Sequence, residues 1–160
     1  DTVYLGVFER SAIEAVGLFD ESLTRNQDYE LNVRLRNSGR VVWFDPALAV
    51  DYRPRPTLGR LARQFYEYGA WKRHVIRLHP KSVRLRQLIP PIALIAIVAS
   101  LIGSIWNSWL LGVPAVYLAA VAAASAMASR GQIRQAARLC RIFPTMHGAW
   151  AIGFLAGNVA

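Results

Sequence analysis

The sequence predicts a mixed α/β region followed by an amphipathic helix and α-helical membrane segments. Three observations lead there. Strand-like and helix-like runs alternate before residue 56; Leu88 to Ser129 is a run of 42 residues without a charged side chain; and the charges are unequally divided along the chain. All ten acidic residues lie between Asp1 and Glu67, where nine Arg nearly balance them, whereas Tyr68 to Ala160 carries ten Lys and Arg and no carboxylate. The net charge of +9 on 160 residues therefore belongs to the second part, a pattern that favours attachment to a surface.

Residues 1–56 supply the α/β reading. Thr2 to Phe8 is strand-like, Arg10 to Val16 a short helix closed by Gly17, and Phe19 to Leu23 a loop with an acidic turn. Asn26 to Asn37 is helical, with Ser38-Gly39 as its stop. Val41 to Phe44 reads as a second strand ended by Asp45-Pro46, and Ala47 to Tyr52 as a third. Residues 57–87 read as an amphipathic helix and a basic linker. Leu58, Leu61, Phe65, Tyr68 and Trp71 recur at near-helical spacing among Arg60, Arg63 and Arg73, a mixture suited to a membrane interface.

The charge-free run is about twice the roughly 20 residues that cross a bilayer core. Trp106-Asn-Ser-Trp109 interrupts it, and indole rings settle at the headgroup level. Residues 88–129 are thus expected to form a transmembrane hairpin. Arg130, Arg134, Arg138 and Arg141 follow on one helical face, so 130–143 reads as a basic amphipathic segment on an anionic leaflet, with a solvated face of a soluble bundle as the alternative. Pro144 is expected to end that segment, and 144–160 is a candidate third span. Both flanks of the hairpin are basic and its turn is uncharged, which places residues 1–87 in the cytoplasm and the chain in the cytoplasmic membrane as a multi-pass protein.

Cys140 is the only cysteine, which excludes an intrachain disulfide and a cysteine metal cluster. The start carries no signal pattern and reads as an internal point of a longer protein or as a truncated gene product. Asp28-Tyr29-Glu30 is the one constellation with a chemical look. Carboxylates in the first turn of a helix, after Asn26 as N-cap, are favoured by the helix dipole, so simple capping accounts for them. Equally, one such carboxylate can take a proton from an acceptor hydroxyl if its neighbours hold it within reach.

Gly17-Leu-Phe-Asp20-Glu21-Ser-Leu, then Asn26-Gln-Asp28-Tyr-Glu30-Leu31-Asn-Val-Arg34-Leu35, resembles the acceptor-side half of a family-2 inverting glycosyltransferase of the GT-A fold. The likeness is greatest to the succinoglycan-type exopolysaccharide glycosyltransferases. It takes in Trp43 to Pro46, Tyr52 to Arg55, Arg63-Gln64, Tyr68-Gly69, Trp71-Lys72 and His79-Pro80, and runs over roughly residues 3 to 91. The resemblance implies a partial GT-A domain in 1–56, with Asp28 as the general base. Gln27 stands where the family has a second acid, and Glu30 and Arg34 become supporting residues on the acceptor side. Arg63, Gln64, Tyr68 and Trp71 lie where processive relatives carry an interface box, although Gln64 and Trp71 are seven apart here rather than four; an interface helix with aromatic anchors explains them equally.

The resemblance further implies a nucleotide-sugar donor, a lipid-linked or growing glycan acceptor, membrane lipids as surroundings, and a divalent metal (Mg or Mn) in the full-length enzyme. The metal-holding Asp-x-Asp motif and the nucleotide-binding half are not in this sequence, so the chain itself is expected to bind no metal and to be inactive alone. Two other classes compete. A non-catalytic membrane-anchored interaction module would use the Arg face for lipid or a partner. Nucleic-acid binding rests on net charge only, with no motif to support it, and no nucleic-acid partner is expected.

Overall fold

The computed structural model describes residues 6–49, 51, 53 and 55–159. Among them run α1 (Arg10–Ala15), α2 (Gln27–Asn37), α3 (Leu58–Leu78), α4 (Leu85–Gly103), α5 (Gly112–Ala128) and α6 (Ile133–Ala156), with 3-10 turns at Pro80–Ser82 and Ser108–Leu111. No described residue lies in a β-strand. The α/β class, and with it the partial GT-A sheet, is therefore overturned: the described chain is helical. The reason is visible at Val41, Trp43 and Phe44, which are 83%, 82% and 64% exposed. Their aromatic and β-branched side chains favour a strand, but propensity of that kind expresses packing against neighbouring strands, and no described strand is there to pair with. At Ala47 the Asp45 side chain accepts the backbone N–H at 2.9 Å, which makes a turn where a third strand was expected. Of the first expected strand, residues 1–5 lie outside the described residues, as do Val50 and Tyr52 of the third; Gly6 to Phe8 have no regular structure.

The polar helix α2 is buried on two sides, and its sequence explains how. Tyr29 and Val33, four apart, join Leu23 and Val75 in one cluster with Trp71 packed against it. Leu31 and Leu35, again four apart, meet Ala12 of α1 with Phe8, Ile13 and Val16 around them. Thus α2 is held between α1 and α3.

On its other side α3 lies against the C-terminal half of α6. Gly69 has no room for a side chain: a Cβ there would strike the Trp150 carbonyl, and one on Gly153 would strike the Tyr66 carbonyl. Gly157 stands against Ala70 in the same row. Small residues four apart let the two backbones approach. Arg73 then donates to the Leu155 carbonyl at 2.9 Å, closing the C-terminal end of α6 with a cation that its dipole favours. The stretch 57–78 thus packs against α6 around Gly69, Ala70 and Arg73 and meets α2 at Trp71 and Val75.

Two helical stretches, Leu85–Gly103 and Ser108–Ala128, are long and apolar enough to cross a bilayer. Pro90 and Pro91 lie inside α4 rather than at its start. They leave the carbonyls of Arg86 and Gln87 without the amides that would close on them. Asn107 accepts the Trp109 amide at 3.1 Å and starts the tight turn between the two helices. The basic segment and the apolar stretch after it are one helix: Pro144 sits within α6 and does not end it. The turn before α6 uses positive φ at Arg130 and Gly131.

Candidate active site

A cleft of about 810 Å³ opens at the first turn of α2, where α3, α4 and α6 converge. Among the described residues Asp28 is the only carboxylate on its wall, which it shares with Lys72 of α3, Arg86 and Gln87 of α4, and Trp150 of α6. Tyr68, Phe19 and Tyr29 add aromatic surface. The first turn of α2 is anchored from outside. Asn26, at the N-cap position, adopts a left-handed conformation (φ 60°) and makes no cap with its side chain. Instead its amide donates to the Tyr68 carbonyl at 3.3 Å. Arg25 bonds Glu67 at 2.9 Å, tying the loop before α2 to α3. Asp28 accepts its neighbour's backbone N–H, from Tyr29, through Oδ1 at 2.8 Å, so it serves the helix terminus as well as facing the cleft.

The other residues singled out in the sequence divide into two groups. Gln27 and Tyr68 share the cleft wall with Asp28, and the Gln27 amide also donates to the Leu23 carbonyl. Gln64 is buried and donates to the Tyr68 hydroxyl at 2.7 Å, supporting that wall from behind. Arg63 stays on the surface, paired with Glu67 at 3.1 Å. Trp71 packs in the α2–α3 core and edges His74, with ring centroids 5.6 Å apart.

Glu30 and Arg34 form a buried brace away from the cleft. The Glu30 carboxylate accepts from Arg34 at 2.7 Å and contacts His79 Nε2 at 2.8 Å. Arg34 also donates to the Leu18 carbonyl at 2.7 Å and to that of Val16, at the end of α1. Burial by itself would raise the Glu30 carboxyl, but hydrogen bonds from Arg34 and His79 outweigh it and hold the group below the usual range. One carboxylate thus links α1, α2 and the end of α3.

Lys72 is the cleft residue that single-residue reading passed over. It is 7% exposed, and its ammonium sits over the Tyr29 ring, 2.8 Å from the centroid. Burial pushes it down to about 8. The signal for it was its place four residues after Tyr68, on the same face of α3. Trp150 had no local signal; only the close approach of α6 to α3 brings it to Asp28. Among the described residues, no three of His, Cys, Asp and Glu come together as a metal site, and Glu30 is already committed to Arg34 and His79. The residues present do not fit a divalent ion.

The site is therefore a cationic and aromatic cleft with a single carboxylate, set at the foot of an apolar hairpin, and the comparisons point to the succinoglycan type of biosynthetic protein. The chain is related to the succinoglycan biosynthesis protein ExoA of Rhizobium meliloti (strain 1021), being 32% identical to it over 149 residues, 89% of this chain and 43% of that protein. The chain thus spans less than half the length of this relative. No family model matches the sequence, and no solved structure does.

Proposed function

We propose that this chain forms the acceptor side of an inverting glycosyltransferase of exopolysaccharide biosynthesis, with Asp28 as its general base. The observation that carries the reading is the place of Asp28, the lone carboxylate on a cleft otherwise lined by cations, amides and aromatic rings. In the reaction Asp28 takes the proton of an acceptor hydroxyl, and that oxygen attacks the anomeric carbon of the donor sugar. The nucleoside diphosphate leaves with the bonding electrons, and the configuration at the anomeric carbon inverts. Gln64 and Asn26 position Tyr68 and the first turn of α2, and the Glu30–Arg34–His79 brace fixes the direction of α2.

The nucleotide-sugar and any divalent ion (Mg or Mn) are handled by parts of the enzyme corresponding to the portion of ExoA that this chain does not span, so the chain transfers no sugar on its own. The α4–α5 hairpin crosses the cytoplasmic membrane, with the cleft and the basic flanks on the cytoplasmic side. Asp28→Asn in the complete protein is expected to lower kcat by about 10²-fold or more, in the range of general-base losses, with donor affinity kept. Turnover equal to the parent's would end the assignment. A second reading, a basic face that serves only to hold the protein on anionic lipid, is favoured by the exposure of Arg130, Arg134, Arg138 and Arg141; under it, charge removal there matters and Asp28→Asn is silent.

A further inference from the structure

A second cavity, of about 520 Å³, shares Tyr29 with the Asp28 cleft and opens between the C-terminal turns of α2, the end of α3 and the Pro80–Ser82 turn. Arg36, His79, Lys81 and Arg84 stand on its wall, and among the described residues no carboxylate does. His79 is already paired with Glu30 at 2.8 Å, and Arg84 has contacts of its own. Arg36, which is half-buried, and Lys81 differ from these, for neither forms an ion pair among the described residues. Ser82 completes the group: its hydroxyl oxygen is buried and has no hydrogen-bond partner. A buried polar atom without a partner is costly and rare in folded proteins. Two cations beside it indicate what would satisfy all three, an anion whose oxygens accept hydrogen bonds.

The cavity also narrows the choice of anion. A bare oxyanion would leave most of its volume empty, and Val33, Leu78, Pro80 and Val83 give it an apolar side next to the cations. A phosphate carried on a small organic body fits both features. Arginine suits such a group because its planar fork meets two oxygens at once. The turn that carries Ser82 is held from two directions. Its amide donates to the His79 carbonyl at 2.9 Å, and the Tyr29 hydroxyl donates to the Ser82 carbonyl at 2.7 Å. In the neighbouring cleft the Lys72 ammonium lies over that same Tyr29 ring. Burial is the main cause of the low Lys72, and Arg84 and Arg36 add to it. An anion beside Arg36 would therefore ease the charge in the cleft as well.

We infer that this second cavity binds a phosphate ester, at a site separate from the Asp28 cleft, with Arg36 and Lys81 holding the phosphate oxygens and the Ser82 hydroxyl donating to one of them. The ester comes from solution or from the headgroup of a bilayer phospholipid, since Lys81 and Ser82 stand just before α4. The site does not rest on the glycosyltransferase reading above.

The test is equilibrium binding of sn-glycerol 3-phosphate to the complete protein in dodecyl maltoside, a detergent without phosphate, with glycerol and inorganic phosphate beside it. The ester is expected to saturate below about 10 mM, and glycerol is not expected to bind. Arg36→Gln should weaken the ester by about tenfold or more, and Lys81→Gln and Ser82→Ala by about threefold or more each. Asp28→Asn should bind it as the parent does. Bound ester should raise the melting midpoint of the parent more than that of Arg36→Gln. Melting without ligand shows that each variant is folded, and Lys81 is exposed, so Lys81→Gln reads the site without disturbing the packing. Phosphatidylglycerol added to the micelles separates the two sources: competition gives the site to a lipid headgroup, and undiminished binding gives it to an ester from solution. Equal binding of the ester by the parent and the three cavity variants overturns the inference, as does the lack of any saturation. So does loss of binding in Asp28→Asn, which would put the ester in the cleft, or inorganic phosphate binding as tightly as the ester, which would leave the organic body without a place.

Discussion

The helices α2 and α4 invert the usual relation between polarity and burial. In α2, seven of eleven side chains are polar or charged (Gln27, Asp28, Glu30, Asn32, Arg34, Arg36, Asn37), yet Tyr29 through Val33 and Leu35 are all buried. In α4 the residues after Gln87 are almost all apolar, yet only Pro91 and Ser100 are buried. The same holds for α5, where Val121 and Ser125 are the buried positions. Ser100 and Ser125 are the polar members of these buried positions, the kind of residue that spanning helices turn toward one another. Polar α2 has a protein interior to fill, and its buried carboxylate, Glu30, is answered by Arg34 and His79. Apolar α4 buries little among the described residues, the pattern expected of a helix long and apolar enough to cross a bilayer.

The largest effect should come from treating α4 as an ordinary exposed surface. Ile95 and Ile102 are 54% and 56% exposed. On a water-facing helix, Lys at both positions would change stability little. In a spanning helix each charge costs about 2.5–3.5 kcal/mol near its centre, so Ile95→Lys with Ile102→Lys should move the protein from the carbonate-resistant membrane fraction to the extractable one. Retention in the membrane fraction would remove the contrast with α2.

Next in size is the brace within α2. Glu30→Ala strips Arg34 and His79 of their shared carboxylate, and breaking a buried pair from one side costs about 3–5 kcal/mol. Arg34 is partly exposed and keeps its bonds to the Val16 and Leu18 carbonyls, so the lower end of that range is expected, read as a lowered melting midpoint in detergent. The folded-state carboxyl of Glu30 is depressed. The stability it brings is therefore present above its unfolded value and lost as pH falls through the folded one. A pH-independent difference between parent and variant on the acid side would show that the pair contributes by packing alone.

These two regions also separate what could be read from the sequence from what could not. The two long apolar helices were legible because a long uncharged run with two indoles at its break has few alternatives. The start of α2 was legible because acid residues after Asn26 mark a helix start locally. The strand expected at 41–44 was misread because Trp43, Phe44 and Val41 satisfy strand propensity without a described strand beside them, and pairing is not a local property. Lys72, Arg86 and Trp150 come together only because Gly69, Gly153 and Gly157 let α3 and α6 touch, bringing residues almost 80 positions apart to one cleft. The contact of α3 with α6 has the same origin, since an amphipathic rhythm fits a protein neighbour and a membrane surface equally well.

The smallest effect is the most selective, because it concerns one charge that the protein side of the contrast leaves unanswered. Lys72 titrates near 8 when folded and near 10.5 when unfolded. Below pH 8 the group is charged in both states, and the folded state alone bears the cost of burying it. Between 8 and 10.5 the unfolded chain binds more protons than the folded one, so stability rises with pH across that window. The full relief is at most about 3 kcal/mol by the usual conversion of a pKa shift. Lys72→Met should therefore raise the melting midpoint at pH 7 and abolish the difference by pH 10.5. The variant, not the parent, is the proper reference, since Tyr29, which faces Lys72 from α2, is lowered from its ordinary value and also titrates at the alkaline end. Equal melting midpoints of parent and Lys72→Met at pH 7 would mean that burying this ammonium costs the fold nothing.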